Sequence, residues 1–158
     1  MKYDLVIFDL DGTLMDTSKS ITRTVNSAME ELGKKQYSAN ECVKFVGGGV
    51  SGLARNILGK EKYEDVTNEE MEKVIRKYYD IYFDYGVEPY EGIPELLDFL
   101  EKNGVKKGIV TNKDHETALS AVDKKLSKWK FDGIFGSNEK EYPNKPNPYN
   151  VDKMAQNL

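Results

Sequence analysis

Asp9 and Asp11 stand two residues apart at the end of the apolar run Leu5-Val6-Ile7-Phe8, with Gly12 directly after them. Residues two apart in an extended chain share a face, so both carboxylates converge on one small volume while Leu10 turns inward. Close carboxylates repel unless a cation lies between them or one holds a proton, and either solution is chemically useful. A hard divalent cation such as Mg²⁺ takes one or two carboxylates together with waters and phosphate oxygens. One aspartate then serves as a nucleophile while the other moves a proton. Gly12 lets the backbone bend sharply and approach a ligand closely. The plainer alternative is an Asp-Gly hairpin turn with two solvated acids, which explains neither their pairing nor the residues found downstream.

The elements that must position these acids follow from the apolar pattern. Tyr3–Phe8 reads as the first core strand, and its residues Leu5–Phe8, without polar alternation, suit a central parallel strand covered on both faces, with ligands expected beyond its carboxyl end. Val105–Val110 and Phe131–Phe135 read as two further core strands. Helices are expected at Ile93–Lys102, where Pro94 suits a helix start, and at about Glu116–Leu126.

Asp9-Leu10-Asp11-Gly12-Thr13-Leu14, followed by Asp16, resembles the first motif of the haloacid dehalogenase-like hydrolases, whose commonest members are Mg²⁺-dependent phosphatases. The resemblance implies a later strand ending in Thr or Ser, then a Lys before a helix, then an acidic Gly-Asp motif on another strand. Val105–Lys113, which ends in a hydroxyl, an amide and an ammonium, fits the second motif. There Thr111, assisted by Asn112 and backbone amides near Leu10, would hold the transferring phosphoryl group. Lys145-Pro146-Asn147-Pro148 resembles the third motif, with Pro148 suited to a first helical turn. The Lys145 ammonium would screen the repulsion between an attacking carboxylate and a phosphate. Read singly, the second segment is equally an ordinary Thr-Asn turn, and the third a solvated lysine in a loop. Their order along the chain favours the catalytic reading.

No counterpart of the fourth motif follows: Asp152 is the only acid after Lys145, and it falls within the expected last helix. The resemblance places Asp9 and Asp11 at the metal, Asp9 through its carboxylate and Asp11 through its backbone carbonyl. One carboxylate is then present where the site wants at least two. The expected fold is α/β, a Rossmann-like parallel sheet that looks incomplete at its C-terminal side, split as residues 1–15 and 88–158.

The intervening residues 16–87 have a helical pattern throughout. Ile21, Val25, Ala28, Met29 and Leu32 recur at helical spacing before Gly33. Ser38…Glu41 and Thr67…Glu70 match capping boxes that open further helices. Val74, Tyr78, Ile81, Tyr82 and Tyr85 are expected to form part of a helical core. This insertion resembles the cap of the subclass that contains phosphoglycolate phosphatases and β-phosphoglucomutases, closing over the site on hinges at Gly12–Asp16 and near Val87. Phe45–Val50 resembles a Val-Gly-x-Gly segment of such caps. Gly48 would bring backbone N–H groups to a small anion and Arg55 would pair with its carboxylate; a flexible loop with a solvated Arg55 is the alternative. Gly12 and Thr13 complete the substrate-side residues.

The net charge of −4 argues against a nucleic-acid surface. No stretch is long and apolar enough for a membrane span and no signal-peptide pattern opens the chain, so a cytoplasmic location is expected. The single Cys42 excludes an internal disulfide and reads as a small buried hydrophobe. Nothing in the composition sets an oligomeric state. The resulting expectation is an Mg²⁺-dependent hydrolase of a small phosphomonoester, with Asp9, Asp11, Thr111 and Lys145 as its catalytic residues. A β-phosphoglucomutase-like phosphomutase and a non-catalytic remnant are the two rival readings.

Overall fold

A computed structural model describes residues 2–158. Its elements in chain order are β1 (Leu5–Phe8), β2 (Met15–Asp16), α1 (Ser18–Glu31), α2 (Ala39–Lys44), α3 (Gly49–Glu61), α4 (Asn68–Tyr82), β3 (Glu88–Pro89), α5 (Ile93–Lys102), β4 (Lys106–Asp114), α6 (His115–Lys125), β5 (Gly133–Ser137) and α7 (Tyr149–Asn157). They fall into two compact units, one formed by residues up to Asp16 with Glu88–Leu158, the other by Thr17–Val87.

The first unit is built on a parallel sheet of order β1-β4-β5. Leu5 pairs with Lys106 and Phe8 with Ile109, while Gly108 pairs with Gly133 on the other side of β4. Here the expectation for β1 needs correcting. Its four residues are only half-buried because it lies at one edge of this sheet, and the covered central strand is β4, buried from Lys107 to Thr111. β4 also runs further than its apolar stretch, through Asp114, with an irregularity in its pairing to β5 between Val110 and Asp114. The pairing with Ser137 extends the strand through polar residues that hydrophobicity alone would end. A second, two-stranded ribbon joins β2 to β3, Met15 opposite Pro89. It ties together the two segments that flank the inserted residues.

The helices of this unit bury apolar stripes against the sheet. α5 carries Pro94 in its first turn and buries Leu97 and Leu100. α7 buries Met154, whose sulfur would lie 2.0 Å from a Cβ placed on Gly108. Glycine there lets the helix approach the strand closely. Gly136 is held against backbone, for a Cβ there would fall 2.5 Å from the His115 Cα and 2.8 Å from the Lys113 carbonyl oxygen. Gly136 N–H also donates to His115 Nδ1 at 3.2 Å. Gly136→Ala should therefore cost about 2–3 kcal/mol and lower Tm by roughly 5–10 °C, read by thermal melting. An unchanged Tm would contradict this packing.

In the second unit, both capping boxes form: Glu41 N–H donates to Ser38 Oγ at 3.3 Å, and Glu70 N–H to Thr67 Oγ1 at 3.1 Å. Its core gathers Val25, Met29, Leu53, Ile57, Met71 and Ile75 among others. Of the stripe expected to form the core, Val74 and Tyr78 are half-buried and pack against it, while the fully buried face lies one position round. Met71, Ile75 and Tyr79, spaced four apart, are the buried residues, whereas Ile81 and Tyr85 are 56% and 50% exposed. Tyr78 and Tyr82 stack beside them with centroids 6.4 Å apart, and Arg23 lies 5.3 Å from the Tyr82 ring. Tyrosine rings have an apolar body and a polar tip, so the face led by Met71 and Ile75 takes the interior while Tyr78 and Tyr82 keep their tips toward water. Cys42 is fully buried, and burial pushes its thiol up to about 11, so it is a packing residue and not a nucleophile at neutral pH.

Candidate active site

β1 stops at Phe8, so Asp9 and Asp11 occupy the turn beyond the strand rather than the strand itself. Leu10 is fully buried, and its carbonyl accepts the N–H groups of Thr13, Leu14 and Met15 at 3.3, 3.0 and 3.0 Å. Gly12 closes the turn at φ +77°, with its N–H donating to the Met15 carbonyl at 2.8 Å. A left-handed backbone of this kind is what glycine supplies at least cost. Gly12 and Thr13 are exposed on the turn.

Each aspartate faces its own ammonium. Lys145 Nζ donates to Asp9 Oδ1 at 2.9 Å, and Lys113 Nζ donates to both Asp11 oxygens at 3.1 Å. The first pair is accessible, with side chains 42% and 30% exposed for Asp9 and Lys145; the second is sheltered, at 21% for Asp11 and 3% for Lys113. The repulsion expected between two close carboxylates is thus answered by two cations.

The strand β4 organises both lysines. Thr111 is buried and its Oγ1 accepts the Lys113 N–H at 3.1 Å; a hydroxyl that accepts keeps its own proton to donate. Asn112 grips the backbone of Lys145 from both sides, its Nδ2 donating to the Lys145 carbonyl at 3.0 Å and its Oδ1 accepting the Lys145 N–H at 2.9 Å. This positioning contact stands beside the substrate contact expected of Asn112. Asp9, Lys145, Asn112, Lys113 and Asp11 therefore form one connected circuit with Thr111 on its flank. Lys145 leads through Pro146 and Asn147 to Pro148, which caps α7.

Lys113 has no assigned role in the sequence reading. Its signal was the two-residue period of a strand: if β4 extends past Thr111, Lys113 projects to the same face as Thr111. Gly48 and Arg55 belong to the Thr17–Val87 unit. There Gly48 is the N-cap of α3 at φ +74°, and Arg55 Nη2 lies 3.4 Å from the position of a Cβ on Gly48, so these two are neighbours of one another.

The Asp9 carboxylate and the Asp11 carbonyl are hard oxygen donors of the kind Mg²⁺ prefers. Among the described residues, however, no three His, Cys, Asp or Glu side chains cluster as a metal shell, and Asp152 is an exposed residue of α7. Among the described residues the donor set stops short of a full metal shell.

A parallel sheet whose first strand is followed by a turn with two aspartates, each met by a lysine carried from a later segment, defines an α/β protein with its cluster of paired charges beyond the strand's carboxyl end. The family model for haloacid dehalogenase-like hydrolases matches residues 6–158, and the chain belongs to that family. Over 132 residues it is 35% identical to the phosphoglycolate phosphatase of Aquifex aeolicus (strain VF5), a match covering 84% of this chain and 60% of that protein. It is 31% identical over 158 residues to the pyrophosphatase PpaX of Halalkalibacterium halodurans, covering 100% of this chain and 70% of that protein. A haloacid dehalogenase-like hydrolase from Streptococcus pneumoniae superposes with a TM-score of 0.83 at 27% identity, over 100% of this chain and 72% of the other. No helix among the described residues is long and apolar enough to cross a membrane.

Proposed function

We propose that this chain carries the phosphoryl-transfer residues of a phosphatase acting on a small phosphorylated metabolite of the cytoplasm, with 2-phosphoglycolate the first candidate. The observation that carries this reading is Lys145 Nζ at 2.9 Å from Asp9 Oδ1. An accessible carboxylate beside a cation is what nucleophilic attack on a phosphate requires, because the cation offsets the repulsion between two anions. The Asp9 oxygen attacks phosphorus, the bond from phosphorus to the substrate oxygen breaks, and Asp11 delivers a proton to the departing alkoxide. Water then attacks the aspartyl-phosphate, Asp11 takes its proton, and inorganic phosphate leaves with Asp9 restored. The Thr111 hydroxyl and the Lys145 ammonium hold the phosphoryl oxygens through both steps. Mg²⁺ is the cofactor that the resemblance implies.

Phosphate release from 2-phosphoglycolate, pyrophosphate and p-nitrophenyl phosphate, with and without added Mg²⁺, tests this reading. The expected result is catalysed release above buffer, greatest for 2-phosphoglycolate. Preference for pyrophosphate would move the substrate class to phosphoanhydrides. Interconversion of glucose phosphate isomers without phosphate release would establish the phosphomutase, and no turnover on any substrate would establish the non-catalytic remnant.

A further inference from the structure

We propose that Lys113 is a positioning residue of the reaction, which acts through Asp11 by fixing the plane and direction of its carboxylate. The inference rests on the role given to Asp11 in the proposed mechanism. Lys113 Nζ is equidistant, at 3.1 Å, from both Asp11 oxygens. An ammonium placed symmetrically between two carboxylate oxygens lies near the bisector of the group and restrains its rotation. The restraint matters because Asp11 stands on the turn after β1, outside the regular strand pairing that would orient it. A group that hands a proton to a leaving oxygen must be within hydrogen-bond reach and aligned, and small misplacements are costly.

The location of Lys113 supports the same conclusion. Its side chain is 3% exposed, on a strand whose neighbouring positions are otherwise filled by Ile109, Val110 and Thr111. Burying an ammonium is expensive, and an apolar side chain of similar length fills such a place at lower cost. Thr111 Oγ1 receives the Lys113 N–H, so the backbone that aims this lysine is itself held by the neighbouring residue of the site.

The test compares Lys113→Met, Lys113→Arg, Asp11→Asn and the Lys113→Met/Asp11→Asn double variant in the full chain. The readout is single-turnover release of the alcohol from 2-phosphoglycolate and of the phenol from p-nitrophenyl phosphate. An activated phenol departs without a proton, whereas an alkoxide needs one. Lys113→Met should slow alcohol release about 10²-fold with KM changed less than about threefold, and slow phenol release far less. Lys113→Arg should recover most of the loss, and Lys113→Met should add little in the Asp11→Asn background. Equal losses on both substrates, additivity with Asp11→Asn, or an unaffected Lys113→Met would overturn the proposal. Thermal melting accompanies each variant, with Lys113→Gln as a second neutral replacement; loss of cooperative melting in both neutral variants would assign Lys113 to stability alone. Failure of the underlying reading looks different: Asp11→Asn would itself release the alcohol at the wild-type rate.

Discussion

Asp9→Asn is expected to lower phosphatase kcat by about 10³-fold or more, because the substitution replaces the carboxylate proposed to attack phosphorus with an amide of nearly the same shape. The protein should remain folded. Asp9 is 42% exposed and its lysine partner 30% exposed, so their ion pair contributes at most about 1 kcal/mol to stability. The backbone of the turn does not depend on the Asp9 side chain either, since its bonds converge on the Leu10 carbonyl and the Met15 carbonyl. Steady-state turnover paired with a melting curve checks both halves. A folded variant that hydrolyses substrate at the wild-type rate would remove Asp9 from the chemistry.

Lys145→Ala should reduce kcat/KM by about 10²–10³-fold, the scale found when one preorganised charge or donor is removed from a developing anion. Asn112 holds Lys145 only through main-chain atoms, at 2.9 and 3.0 Å. Alanine keeps that clamp, so the loop into α7 should stay in place while the ammonium alone is lost. Steady-state kinetics with an unchanged far-ultraviolet spectrum would isolate the charge. Activity within a few-fold of wild type would show that Lys145 does not act on the phosphoryl group.

The parts of the fold that were legible in the sequence are those with strong local causes. α5 has the expected bounds, Ile93–Lys102, because Pro94, an apolar stripe and a terminal lysine agree on them. Both capping boxes form because Ser38 and Thr67 satisfy backbone donors within three residues. What was not legible depends on residues distant in sequence. β1 is as apolar as a central strand, yet its place at the edge is set by which strands pair with it. The β2–β3 ribbon has two residues on each side, too few for any period to show. Tyr78 and Tyr82 of α4 yield the interior to Met71, Ile75 and Tyr79, a competition among faces that a single stripe does not reveal.

The site divides in the same way. Asp9, Asp11, Thr111 and Lys145 stand in the sequence as residue types in order, and their contacts in the structure run through Asn112 and Lys113. The contacts of those two residues were hidden because each reaches a partner many positions away, Asn112 the Lys145 backbone and Lys113 the Asp11 carboxylate. Their visible signal was the continuation of β4 past its apolar stretch, which depends on pairing with Ser137.

The most direct measurement is acid-quenched mass spectrometry of the chain during turnover of 2-phosphoglycolate. A phosphoryl group should appear on the peptide containing Asp9, be labile to base as an acyl phosphate is, and be absent from Asp9→Asn. Catalysed phosphate release with no covalent phosphoryl group on that peptide, or with the group on another residue, would contradict Asp9 as the nucleophile.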